Sequence, residues 1–168
     1  MYPYLVFDGV DDFLEVSDIQ LSSHTVFIVY RMDPNFQDRN DLAQLWGQYD
    51  GVGHVALDAR RGSNELGFSF DGNAGTRALY QIDGTPKTSE YFANTNLSPW
   101  AYGNWQILVV EFEDAVTLDT LTVGHLGATF PIGQHHFGGA IGEIMSFDRL
   151  LDLNEYEQTL EYLRANWQ

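Results

Sequence analysis

Gly138 to Gln168, GGAIGEIMSFDRLLDLNEYEQTLEYLRANWQ, reads as a short buried strand followed by an amphipathic helix, and that pairing narrows the fold sharply. Ile141, Ile144, Met145 and Phe147 sit between Gly138-Gly139 and Asp148-Arg149, an apolar run bounded by turn chemistry. Leu153, Tyr156, Leu160, Leu163 and Trp167 then fall at steps of three, four, three and four, which makes one continuous helical stripe. Asp152 and Glu155 have the spacing of a capping box, in which each side chain satisfies an orphan amide of the first turn.

The rest of the chain reads as β. Tyr4–Phe7 and Phe13–Val16 are short strands around Asp8-Gly9-Val10-Asp11-Asp12, where Asp-Gly is a strong turn signal. Thr25–Tyr30 (TVFIVY) is a β-branched and aromatic run with no polar face, so it is expected to be covered on both sides. Leu42–Tyr49, His54–Ala59 and Leu66–Phe70 follow, separated by Gly-containing turns. Asp71 to Gly103 is small and polar apart from a possible strand at Ala78–Ile82, and such stretches carry specificity more often than strands do. Trp105–Phe112 is the clearest buried strand, and Val116–Leu118 with Leu121–Val123 is expected to form a tight hairpin about Asp119-Thr120. Strands every 8–12 residues or so with turns between them fit a β-sandwich rather than βαβ units. The expected core is Val26, Ile28, Phe68, Trp105, Leu108, Val110, Ile141, Ile144, Leu160 and Leu163.

The terminal stretches carry a family resemblance. Gly-x-Ile-x-Glu-Ile-x-x-Phe-Asp-Arg-x-Leu from Gly139, followed by a helix ending Tyr-Leu-x-x-x-Trp, resembles the end of the concanavalin A-like lectin/glucanase (laminin G-like) domains. Leu-Val-Phe-Asp-Gly-Val-Asp-Asp-Phe-Leu-Glu-Val, from Leu5 to Val16, looks like the beginning of the same family. The resemblance brackets residues 1–168 as a single domain and implies an all-β fold, an antiparallel jelly-roll β-sandwich with one C-terminal amphipathic helix. It also implies that Trp105, which opens its strand, belongs to the core. Function is not implied so narrowly, because the family spans lectins, glycosidases, adhesion modules and virion proteins.

Charge and composition close off several classes. With 24 acidic residues against 8 basic ones, the net charge of −16 opposes nucleic-acid binding through phosphates. No apolar run approaches the ~20 residues that span a bilayer, so membrane insertion is not expected. MYPYLVFDG has neither the basic nor the apolar region of a signal peptide. The absence of cysteine excludes disulfides, thiolate metal sites and cysteine nucleophiles.

No catalytic set emerges. The family's retaining glucanases carry Glu-x-Asp-x-x-Glu on one strand, with nucleophile and acid about 5–5.5 Å apart. Glu111 and Glu113 share a face but are expected to close their strand, and Glu143 and Asp148 would face opposite sides. Gly-x-Ser-x-Gly, a phosphate loop and His-Glu-x-x-His are all missing, and the neighbours His135 and His136 would point apart in a strand. What remains is binding. Trp46, Tyr49, Trp100 and Tyr102, in or beside loops, are candidates to stack on sugar rings or to anchor a protein partner. Asp8, Asp11 and Asp12 are candidate ligands for calcium, a hard cation that takes oxygen donors; no other cofactor is expected and none is required.

Three readings stay open. The first is a non-catalytic structural or adhesion module on a phage particle (head decoration, head fibre or tail protein), a symmetric oligomer docking an apolar patch on a protein scaffold. The second is a calcium-assisted carbohydrate-binding module of a secreted bacterial protein. The third is a glycoside hydrolase. The first two place the chain on a virion surface or outside the cell and bind protein, glycans or both.

Overall fold

The computed structural model describes residues 2–34, 42–49, 54–60, 66–70, 79–82, 85–88, 103–125 and 136–167; for 42–44, 49, 54–60, 66–70, 79–82, 85–88 and 113 it describes the backbone alone. The strands are β1 (Leu5–Asp8), β2 (Leu14–Val16), β3 (Leu21–Met32), β4 (Leu42–Tyr49), β5 (His54–Arg60), β6 (Leu66–Phe70), β7 (Leu79–Ile82), β8 (Thr85–Thr88), β9 (Gln106–Leu118), β10 (Leu121–Val123) and β11 (Gly138–Phe147). Among the described residues one helix, α1 (Leu153–Trp167), follows them. The strands form a four-stranded sheet ordered β1-β11-β3-β9, a five-stranded sheet ordered β2-β10-β4-β5-β6 and a β7-β8 pair, antiparallel throughout. This is an all-β sandwich with a C-terminal helix.

The apolar run in β3 is explained by two covers. Val26, Ile28, Tyr30 and Met32 point into the core between the sheets, with Leu108, Val110 and Phe112 of β9 and with Leu45, Trp46 and Val123 of the five-stranded sheet. The alternate residues Phe27 and Val29 point outward with Ile107 and Val109, and there Leu160, Leu163 and Trp167 of α1 cover them. Period-two alternation therefore feeds two cores from the same strands. Each fully buried leucine contributes on the order of 1.5–3 kcal/mol, so a charge at Leu163 would weaken the hold of the helix on the sheet.

The capping box forms as its spacing predicts. Glu155 N–H donates to Asp152 Oδ1 at 2.9 Å, and Asp152 N–H donates to Glu155 Oε2 at 3.1 Å. Of the expected stripe, Leu160, Leu163 and Trp167 are buried, whereas Leu153 stands exposed in the first turn and Leu151 packs on the outer core instead.

Several expectations are corrected. Residues 116–118 and 121–123 do not form a hairpin, because β9 and β10 belong to different sheets. Asp119-Thr120 instead carries the chain across the sandwich, and the Gln48 side-chain oxygen accepts both of its amides, at 2.7 and 3.1 Å. Nor does β9 end at Glu111 and Glu113: it continues to Leu118 through a break in register opposite Ser23 and Thr25, where His24 Nδ1 lies 3.1 Å from the Phe112 carbonyl oxygen. Trp105 is half-buried, because it precedes β9 and lies against Trp167 on the outer face, their rings 4.8 Å apart. Ile144 is half-buried just beyond the register shift between Ile141 and Glu143. The Phe68 side chain lies outside the described residues.

Candidate functional site

The acidic turn joins β1, an outer strand of one sheet, to β2, an outer strand of the other. Val10 N–H donates to Asp8 Oδ1 at 2.7 Å and Asp11 N–H to the same oxygen at 3.3 Å. Asp8 N–H in turn donates to Asp12 Oδ2 at 2.9 Å. Aspartate here fixes the turn by bonding nearby backbone. The Val10 amide in particular holds the Asp8 carboxyl below its ordinary range. The structure also brings together the three carboxylates named from the sequence: Asp8, Asp11 and Asp12 present oxygens within 4.8 Å of one another, all exposed. Oxygen donors at an open turn are the type that calcium takes.

The aromatic candidates separate. Trp46 is fully enclosed and stacks on Phe112, ring centres 6.3 Å apart at 26°, so it has no face to offer a sugar. Leu45 and Trp46, although consecutive, both enter the core across a register shift between Gln44 and Trp46, and the pairing of Gly47 with Thr122 of β10 makes their strand a central one of the five-stranded sheet. The side chain of Tyr49, and Trp100 and Tyr102 altogether, lie outside the described residues. Gly103, directly after Tyr102, donates its N–H to the Met32 carbonyl at 3.0 Å and lines a recess of about 260 Å³ with Arg31 and Asp33.

Glu143 is occupied structurally. Trp167 Nε1–H donates to its Oε2 at 3.0 Å, and Tyr162 O–H donates to Oε1 at 3.4 Å. His136 is buried with its ring stacked on His125, centres 4.1 Å apart at 20°, and Phe13 lies 5.5 Å from His125. A parallel stack does not converge two nitrogens on one metal.

A feature that the sequence reading did not single out lies along β1 and β2. Of the eleven large apolar residues exposed among the described residues, eight lie between Tyr2 and Val16. Three of them are on the core-facing side, since residues paired across an antiparallel ladder share a face. Leu5 pairs with Ile141, which is 4% exposed, yet Leu5 is 51% exposed. Leu14 pairs with Val123, 7% exposed, yet Leu14 is 45% exposed; Val16, opposite Leu121, is 49% exposed. Among the described residues, the core is open along the seam where β1 and β2 form the outer strands. One signal was in the sequence: β1 carries apolar residues on both alternation phases, Leu5 and Phe7 on one and Val6 on the other, which a polar-faced surface strand does not.

Comparison with protein-family models, curated proteins and solved structures finds no match.

Proposed function

We propose that this chain is a non-catalytic structural or adhesion module that seats its β1–β2 edge on a protein scaffold. The observation that carries the reading is the open seam. Monomeric proteins rarely expose contiguous apolar patches larger than a few hundred Å², and eight exposed large apolar residues between Tyr2 and Val16 favour a contact face. The jelly-roll order implied by the terminal motifs belongs to the same proposal, as does a particle surface such as a phage head or tail as its setting.

A second reading, a lectin-like module assisted by calcium, is favoured by the carboxylate turn at Asp8, Asp11 and Asp12. A glycan array run once with calcium and once with chelator separates the two. No glycan bound in either buffer supports docking on protein. Specific binding that chelator removes moves the assignment to the second reading, and hydrolysis of an arrayed glucan overturns both.

A further inference from the structure

We infer that the β1–β2 seam receives an extended, lysine- or arginine-bearing segment of a different protein, which adds as a strand beside β1 and covers the open core. The inference rests on the docking reading above and names its partner chemistry.

Three independent features point the same way. β1 is the last strand of its sheet and β2 the last of the other, so both present an outer edge to which no other described strand is paired. Unpaired edges recruit extended polypeptide, and proteins normally blunt them with lysine or proline. Between Pro3 before it and Asp8 at its end, β1 carries neither. Next, the core-facing side chains Leu5 and Leu14 stand about half exposed beside buried ladder partners, and Val16 does so beside half-buried Leu121, a gap that an alternating apolar strand would fill.

Charge then selects the occupant. Asp8, Asp11, Asp12, Glu15 and Asp18 lie in and around the seam, and the first cation of the sequence, Arg31, lies on the outer face, its guanidinium over the rings of Tyr4 and Trp105. A second copy would bring the same carboxylates to the interface within a chain of net charge −16. Anionic lipid would be repelled in the same way. A cationic strand meets these carboxylates with complementary charge, which sets encounter rate and partner choice.

The test is a fluorescence-anisotropy titration of the intact chain with a labelled peptide alternating Lys and Val over seven residues, and with its Glu-for-Lys counterpart. The Lys peptide is expected to bind and the Glu peptide not to. Leu5→Ser with Leu14→Ser should weaken binding about tenfold or more, and Asp11→Asn with Asp12→Asn several-fold. Glu157→Gln with Glu161→Gln makes the same charge change on the exposed face of α1 and should leave binding within about twofold. The two acid-pair variants leave apolar packing alone, so the comparison holds even if the serine variant loses stability. No binding of the Lys peptide, equal binding of both peptides, or equal weakening by both acid pairs overturns the inference. Sedimentation showing a dimer that Leu5→Ser dissociates overturns it too, in favour of a second copy. Each of these leaves the docking reading standing, whereas a chelator-sensitive glycan hit removes that reading without touching the titration.

Discussion

Trp167 lies so close to Gly142 that a β-carbon placed there would sit 2.6 Å from two atoms of the indole ring. The same indole donates its N–H to Glu143 at 3.0 Å. The strand motif and the helix motif of the C-terminal stretch thus meet in one contact, which fixes the end of α1 on β11.

Gly142→Ala is therefore expected to destabilise the fold by about 1–3 kcal/mol, the usual cost of forcing a methyl into a filled space. A lowered urea midpoint with unchanged m-value checks this. An unchanged midpoint would mean that Trp167 moves aside freely.

Trp46→Ala should cost about 3–5 kcal/mol, as large-to-small changes of an enclosed aromatic do. Trp46→Phe, which keeps a ring against Phe112, should cost less. If Trp46→Ala left stability intact, the indole would be a surface group after all.

Glu155 makes an acid-sensitive clasp. Arg149 donates to both of its carboxylate oxygens at 2.6 Å, and this pairing, with the Asp152 amide second, lowers the Glu155 carboxyl from 4.5 to about 2. A carboxyl depressed by folding adds stability above its unfolded value and loses it as pH falls through the folded one. The contribution of the clasp is thus complete above pH 4.5 and disappears towards pH 2. Because both groups are at the surface, salt weakens the effect. Titration of Glu155 followed by NMR should give a value near 2 that rises towards 4.5 in Arg149→Gln. A wild-type value already near 4.5 would show that the clasp does not hold in solution.

Much of the fold was legible because the relevant signals are local. TVFIVY has no polar phase, so Val26 and Phe27 both needed cover, and they obtain it from opposite layers. Asp152 and Glu155 cap α1 from three residues apart, a spacing that needs no tertiary knowledge. What was not legible depends on which strands are neighbours. Asp119-Thr120 looks the same whether the flanking strands pair or part, and only the sheet order shows that they part. Trp46 reads as a loop-side aromatic until β10 is placed beside β4. Exposure of Leu14 follows from β2 being outermost, a fact of topology that no window of sequence contains.

Docking at the seam requires that the core be open there in the free protein. The chain has no cysteine, so Leu14→Cys and Val123→Cys each install a single thiol on the two partners of one ladder pair. Their modification rates with a neutral thiol reagent report exposure directly, since a buried thiol reacts only through local opening. Leu14→Cys is expected to react at least about tenfold faster than Val123→Cys. Equally slow reaction at both positions would mean that the core is already closed there, and would contradict the docking surface.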